Sequence, residues 1–378
     1  MNKFIKITQK IVPVFLLVII LASTSVVNAA LVTTNSESKS KGDALKVSKE
    51  VNIVSKTARD AAGKDYEINM FGRIYLQNNK STKWVLLVHP FMNDGTKIVD
   101  AIGSYYYEKG YNILAPDLRA HGKSKKNAKV GMGFIDSLDM YDWLIYLNEN
   151  YQPSEVFVHG ISLGGATVNF LSGIDQFMNN APIRKLDYPL KSLRELKVIA
   201  LTEDCGYTDM TEFQSKDVLL KTQKIGMTEE EFPYYSNAEN SLKYCDIPIQ
   251  IIHGTKDFMV KTKNAETVEK TVKGPTSKWM AEGQLHAFML FGAKDDVRQE
   301  YRVHVHNHID KYTLGDKIEV KPDVPEKPEK PEKPQKPQKP EKPQRPDNGN
   351  SDKLIVKIIK RNIKAYIRYL KFITGKLN

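Results

Sequence analysis

Cysteine is scarce: the 378 residues contain two, Cys205 and Cys245. That excludes a small scaffold stapled by disulfides. The two flank one excursion between expected strands, so they either pair with each other or remain separate buried thiols. No cysteine follows the apolar N-terminal run, which excludes lipoprotein attachment there. That run, Ile11 to Ala22, is also short, about a dozen residues against the ~20 of a membrane-spanning helix. No wall-sorting pattern with a long apolar stretch closes the chain. Acidic residues are missing where basic ones gather. Residues 1–29 carry Lys3, Lys6 and Lys10 and no acid, and residues 352–378 set about eight basic side chains against Asp352. With about +2 from residues 321–347, these segments account for the whole net charge of +11 and leave residues 30–320 near −1. The basicity belongs to the appendages and gives no basis for a nucleic-acid site on the main domain.

What is present is a core. At 41% hydrophobic, the chain is too apolar for disorder throughout and has material for one domain of roughly 250–300 residues, or two smaller ones. The N-terminus, three lysines, an apolar run and small residues ending Val27-Asn28-Ala29, reads as an export signal cut after Ala29, with an uncleaved anchor as the alternative. Residues 30–50 are a polar leader. Residues 51–320 form the main domain.

Within it, period-two patches between Val51 and Gln77 suggest a first strand pair. Short apolar runs then recur: Trp84–Val88, Tyr111–Ala115, Val156–Val158, Leu196–Leu201, Ile249–Ile252 and Lys278–Met280. Helical lengths separate them, at Thr96–Glu108, Met132–Glu149 and Leu163–Gly173, and a last helix spans Lys294–Tyr312. Apolar strands buried on both faces, alternating with helices, predict an α/β fold with a mostly parallel central sheet and helices on both faces. Residues 205–246 exceed one crossover helix and are either a small cap over the site or an ordinary pair of crossover helices. In such sheets the site lies beyond the carboxyl ends of the strands.

Gly160-Ile161-Ser162-Leu163-Gly164 stands at such an end. It matches the G-x-S-x-G nucleophile elbow, and the flanking strand and helix are the context the motif requires. A serine hydroxyl needs a base. Asp257 follows the strand Ile249–Ile252, and His286 follows the next strand. Their order suits a Ser–Asp–His relay in which His286 takes and returns the proton while Asp257 fixes the imidazole. For the oxyanion, the backbone N–H of Leu163 is one donor. Pro90 has no N–H, so Phe91 in the loop His89-Pro90-Phe91-Met92 is the other. His121 and His253 are expected to brace loops. His304, His306 and His308 lie in a helical pattern that aligns only His304 with His308, which argues against a metal site. No metal or organic cofactor is required by this chemistry.

These residues together resemble the α/β-hydrolases, and more closely the bacterial serine-aminopeptidase-like hydrolases. The resemblance covers roughly residues 50–312. Its carriers are Val88-His89-Pro90-Phe91, Pro116-Asp117-Leu118-Arg119-Ala120-His121-Gly122-Lys123-Ser124, Gly131-Met132-Gly133, Gly160–Thr167, Glu203-Asp204-Cys205-Gly206-Tyr207 and His253-Gly254-Thr255-Lys256-Asp257. It implies an α/β-hydrolase fold and a serine hydrolase cleaving an ester, amide or peptide bond of a small-molecule or peptide acyl substrate. The chain departs from the family at Pro90, where relatives usually carry glycine; the proline ring fixes φ. The alternative from another class is an envelope-surface binding protein on a hydrolase scaffold, with little or no catalysis.

Two segments lie outside the resemblance. Residues 321–350 hold a Pro-Glu-Lys and Pro-Gln-Lys repeat, a polyproline II spacer. Residues 351–378 place Ile355, Ile358, Ile359, Ile363, Tyr366, Leu370, Ile373 and Leu377 at helical spacing among lysines and arginines. Such a basic amphipathic helix suits an anionic membrane surface or wall polymer, or else docks on its own domain or self-associates. The whole suggests an exported protein, secreted or held at the envelope of a Gram-positive-type bacterium.

Overall fold

The computed structural model describes residues 45–314, apart from 125–128, 182–185, 213–215, 218, 221–226 and 291–292. The export signal, most of the leader, the proline repeat and the basic tail lie outside the described residues. Among the described residues no helix is long and apolar enough to cross a membrane.

Eight strands form one sheet: β1 Lys49–Val54, β2 Asn69–Tyr75, β3 Lys83–Val88, β4 Asn112–Pro116, β5 Glu155–Ile161, β6 Val198–Asp204, β7 Ile249–Gly254 and β8 Thr276–Ala281. Their order is β1-β2-β4-β3-β5-β6-β7-β8. The pairs β1/β2 and β2/β4 are antiparallel, and every pair from β4 to β8 is parallel. The central strands are buried along their length because both faces are covered. Alternate residues of β3 feed separate cores: Trp84, Leu86 and Val88 join one, Val85 and Leu87 the other. Helices Phe134–Tyr151 and Leu163–Leu171 cover the first face, and the last helix, Asp295–Tyr312, covers the second with Tyr301, Val305 and Ile309. The first strand takes in Lys49 and Glu50, which composition alone had assigned to the leader.

Three helices differ in detail from the sequence reading. The stretch expected as Thr96–Glu108 is two short helices, Gly95–Ile98 and Ser104–Tyr107, joined by a π turn at Val99–Gly103. The helix expected from Met132 starts at Phe134, after two positive-φ residues, Met132 and Gly133. The helix expected to reach Gly173 stops at Leu171 and a second one runs Ile174–Asn179. A Cβ at Gly173 would lie 2.2 Å from the Ser241 carbonyl oxygen, and the Ser241 hydroxyl donates to the Phe170 carbonyl at 2.6 Å. The helix is thus broken where the 205–246 excursion crosses it. Within that excursion the described residues form a 3-10 turn, Met210–Glu212, and two short helices, Phe232–Tyr235 and Glu239–Leu242.

The two cysteines are both free and buried. Cys205 lies in the core of the second face and Cys245 in that of the first. The sheet stands between them, so the disulfide alternative is not realised.

Candidate active site

Ser162 joins β5 to helix Leu163–Leu171 with φ 58° and ψ −113°, a conformation uncommon outside glycine. The turn is sharp because its neighbours lack side chains. A Cβ on Gly160 would lie 2.0 Å from the Gly164 carbonyl oxygen, and one on Gly164 2.0 Å from that of Val88. The Ser162 N–H donates to the Asp204 carbonyl at 2.8 Å, and its own carbonyl accepts from the Ala166 N–H at 2.8 Å. Met92, Cys205 and Ala287 also have positive φ. Left-handed residues therefore gather at the strand ends around Ser162, as backbone strain does at functional sites.

The structure brings the three candidate side chains together. Ser162 Oγ lies 2.6 Å from His286 Nε2, and His286 Nδ1 lies 2.7 Å from Asp257 Oδ2. The other carboxylate oxygen, Oδ1, accepts from the Met259 and Val260 amides at 2.8 and 2.9 Å. Burial alone would raise the Asp257 carboxyl, but hydrogen bonds from His253 and His286 outweigh it and hold the group well below the usual carboxylate range. An ionised Asp257 fixes the proton of His286 on Nδ1 and leaves Nε2 free to accept from Ser162. The loops bearing Asp257 and His286 are stitched to each other. Thr255 N–H donates to the Ala281 carbonyl at 3.0 Å and Lys256 N–H to that of Gln284 at 2.9 Å. The Gly283 N–H donates to the Thr255 hydroxyl at 2.8 Å.

The loop after β3 carries Phe91. The residue that pins it, His89, was not singled out in the sequence, although its place beside Pro90 at a strand end was the available signal. The buried ring accepts the Leu118 N–H at Nε2, 2.9 Å, so Nδ1 carries the hydrogen and donates to the Pro90 carbonyl at 2.7 Å. Burial, with His121 nearby, lowers its pKa to about 4, and the ring stays neutral in this brace. Gly164 closes against Val88 and His89, so the Phe91 loop and the Leu163 amide leave the sheet at one edge. Neither amide is engaged by a turn or loop carbonyl among the described residues.

The remaining motif residues frame the site. Asp117 accepts from Arg73 at 2.6 Å, from the Gly95 amide at 2.9 Å and from the Lys123 amide at 2.8 Å. Arg119 makes a buried two-pronged ion pair with Asp139, at 2.7 and 2.8 Å. His121 Nδ1 faces the Arg119 carbonyl at 2.8 Å and His253 Nε2 the Val260 carbonyl at 2.9 Å; both brace loops as expected. His304 stacks on Trp279, while His306 and His308 bond the Tyr105 and Leu201 carbonyls, so the three serve different contacts. Cys205 Sγ, Asp257 and His286 do place ligand-type atoms within 4.8 Å of one another. Burial pushes the Cys205 thiol well above its usual range, and a neutral thiol is a poor metal ligand.

Large apolar side chains are exposed beside these residues. Phe91 and Met92 are 47% and 57% exposed, and Phe258 and Leu285, next to Asp257 and His286, are 52% and 50%.

No family model matches the chain. An 88-residue segment is 28% identical to a multifunctional-autoprocessing repeats-in-toxin of Vibrio cholerae, and an 85-residue segment is 29% identical to one of Vibrio vulnificus. These matches span 23% and 22% of this chain but only 2% of either toxin. An esterase of Pyrococcus furiosus superposes with a TM-score of 0.50 at 18% identity, over 73% of this chain and 96% of its own. The chain has the α/β-hydrolase fold. Esterase Est1E of Butyrivibrio proteoclasticus is a more distant likeness, with a TM-score of 0.45 at 13% identity over 65% of this chain and 94% of its own. Within the α/β-hydrolase fold, Ser162, Asp257 and His286 follow the carboxyl ends of the parallel strands β5, β7 and β8.

Proposed function

We propose that the chain is an exported serine hydrolase of the serine-aminopeptidase-like kind, cleaving ester or amide bonds of apolar acyl groups through an acyl-enzyme on Ser162. The observation that carries this reading is the continuous relay from Ser162 Oγ to His286 at 2.6 Å and from His286 to Asp257 at 2.7 Å, on a strained elbow that has no other evident use.

Ser162 Oγ attacks the acyl carbon as its proton passes to His286 Nε2. The carbonyl oxygen takes up the charge and receives the Phe91 and Leu163 amides. Collapse breaks the bond to the leaving group, which takes the proton from His286. Water then attacks the acyl-enzyme, giving its proton to His286 and releasing the acid and the Ser162 hydroxyl. The exposed Phe91, Met92, Phe258 and Leu285 favour apolar acyl groups, since each contact removes apolar surface from water. The N-terminal signal supports export and the basic amphipathic tail supports retention at an anionic envelope surface.

Treatment with a fluorophosphonate probe tests the reading. Covalent labelling of the parent and none of Ser162→Ala is expected. A folded parent that stays unlabelled would overturn it and favour the non-catalytic envelope-binding role.

A further inference from the structure

We infer that Tyr301, on the last helix, is a positioning residue for Ser162, and that His159 orders its hydroxyl. This rests on the hydrolase reading above. Asp204 closes β6 and holds the elbow by its main chain. Its carbonyl accepts the Ser162 N–H at 2.8 Å, and a Cβ on Gly165 would lie 2.7 Å from the same oxygen. The elbow therefore has little slack against this residue. In the register of β5 and β6, Asp204 stands opposite Ile161, the residue before Ser162.

The Asp204 side chain is held in turn by the last helix. Tyr301 Oη lies 2.8 Å from Asp204 Oδ2 and 3.1 Å from His159 Nε2. His159 Nδ1 lies 2.9 Å from Tyr106 Oη. All four side chains are buried. Burial raises the Asp204 carboxyl only to about 6, so above neutral pH it is a carboxylate. A carboxylate can only accept, so Tyr301 donates its one hydrogen to Asp204. The Tyr301 oxygen then takes the hydrogen of His159 Nε2, which leaves Nδ1 to accept from Tyr106. Burial, with His308 nearby, lowers His159 to about 3, which keeps the ring neutral. Burial raises both tyrosines, which keeps their hydrogens in place. Every hydrogen in the chain then points toward Asp204.

Packing alone does not ask for such a chain. His159 alternates along β5 with Phe157 and Ile161, which feed the apolar core of the second face, and Tyr106 and Tyr301 lie in that core. Burying polar groups among apolar ones costs stability unless each finds a partner. A completed chain of partners fixes their directions. The ring of Tyr301 also meets the other side of the relay. Its centroid is 5.8 Å from that of Phe288, edge to face, and Phe288 is two residues past His286. One side chain thus touches the strand end that holds Ser162 and the loop that carries His286, and its hydroxyl bond fixes how it stands between them.

The test compares the full chain with Tyr301→Phe, Asp204→Ala and Asp204→Asn on a p-nitrophenyl ester, below the melting temperature of each. Tyr301→Phe keeps the ring and its contact with Phe288 and removes only the hydroxyl. It is expected to lower kcat about tenfold or more, since a small misplacement at a reacting centre suffices, with KM within about twofold. Asp204→Ala is expected to do the same. Asp204→Asn keeps an oxygen to accept from Tyr301 and is expected to recover kcat to within about threefold of the parent. A residue that only stabilises the fold would lower the melting temperature and leave kcat of the folded protein alone. A second readout is independent of activity. NMR of the histidine ring nitrogens in the parent, with His159→Gln to identify the signal, is expected to show His159 with its hydrogen on Nε2 and none on Nδ1. A kcat for Tyr301→Phe within about twofold of the parent, or a hydrogen on His159 Nδ1, would overturn the inference. If Tyr301→Phe does not fold, the Asp204 variants and the His159 tautomer decide. An unlabelled, inactive parent sinks the hydrolase reading itself, whereas a labelled parent with kcat unmoved in Tyr301→Phe sinks only the positioning role.

Discussion

Gly165 and Gly206 stand backbone to backbone. A Cβ on Gly165 would lie 2.9 Å from the Gly206 nitrogen, and one on Gly206 would lie 2.4 Å from the Gly165 carbonyl carbon. The first turn of helix Leu163–Leu171 and the turn after β6 are therefore locked in register by two missing side chains. Gly206→Ala forces them apart. Since overpacking costs about 1–3 kcal/mol even where side chains can yield, the expected loss is at the upper end, read as a lower urea midpoint. kcat falls at least about tenfold, because a misplacement near 1 Å at a reacting centre suffices for more.

Asp257→Asn keeps the shape of the side chain and an oxygen for the Met259 and Val260 amides, but removes the charge that fixes His286. The expected drop in kcat is about 10⁴-fold, with fluorophosphonate labelling slowed in parallel and the melting temperature little changed. Activity within tenfold of the parent would remove Asp257 from the relay.

The exposed side chains of Phe91, Met92, Phe258 and Leu285 make a prediction about substrate length. Across p-nitrophenyl esters from acetyl to octanoyl, kcat/KM is expected to climb up to about fourfold per methylene, the ratio for a fully buried CH₂. Phe258→Ser and Leu285→Ser flatten the climb. A parent that cleaves the acetyl ester with no dependence on length would show that these side chains do not hold the acyl chain.

Stability should decline toward alkaline pH. Burial raises Asp136 and Asp142 to about 7 and Glu203 to about 8. Between the ordinary carboxyl range near 4 and these values the folded chain binds more protons than the unfolded one, so stability falls as pH rises through that window. Asp257 acts oppositely: its stabilisation is present above the ordinary range and lost as pH falls below it. Urea midpoints are expected to be higher near pH 5.5 than near pH 8.5. A midpoint that rises over the same interval would contradict these assignments.

The sequence made visible whatever the backbone alone enforces. The elbow around Ser162 was legible because Gly160 and Gly164 answer to main-chain clashes a few residues away, and the strand ends announced themselves by Pro, Gly and His after apolar runs. Asp257 and His286 followed from chain order. Contacts between distant segments were not legible. Nothing local marks Ser241 as the residue that breaks the helix at Gly173. His89 takes its tautomer from the Leu118 amide. The fate of Cys205 and Cys245 turned on which face of the sheet each occupies, which spacing does not encode.

That separation has a consequence for how the molecule is made. With both thiols buried in different cores, no covalent cross-link has to form for this fold to close. The chain needs no oxidant to mature and has no bridge that a reductant could open. Its final form is the same on either side of a redox boundary, so a refolding yield measured with and without dithiothreitol should not differ.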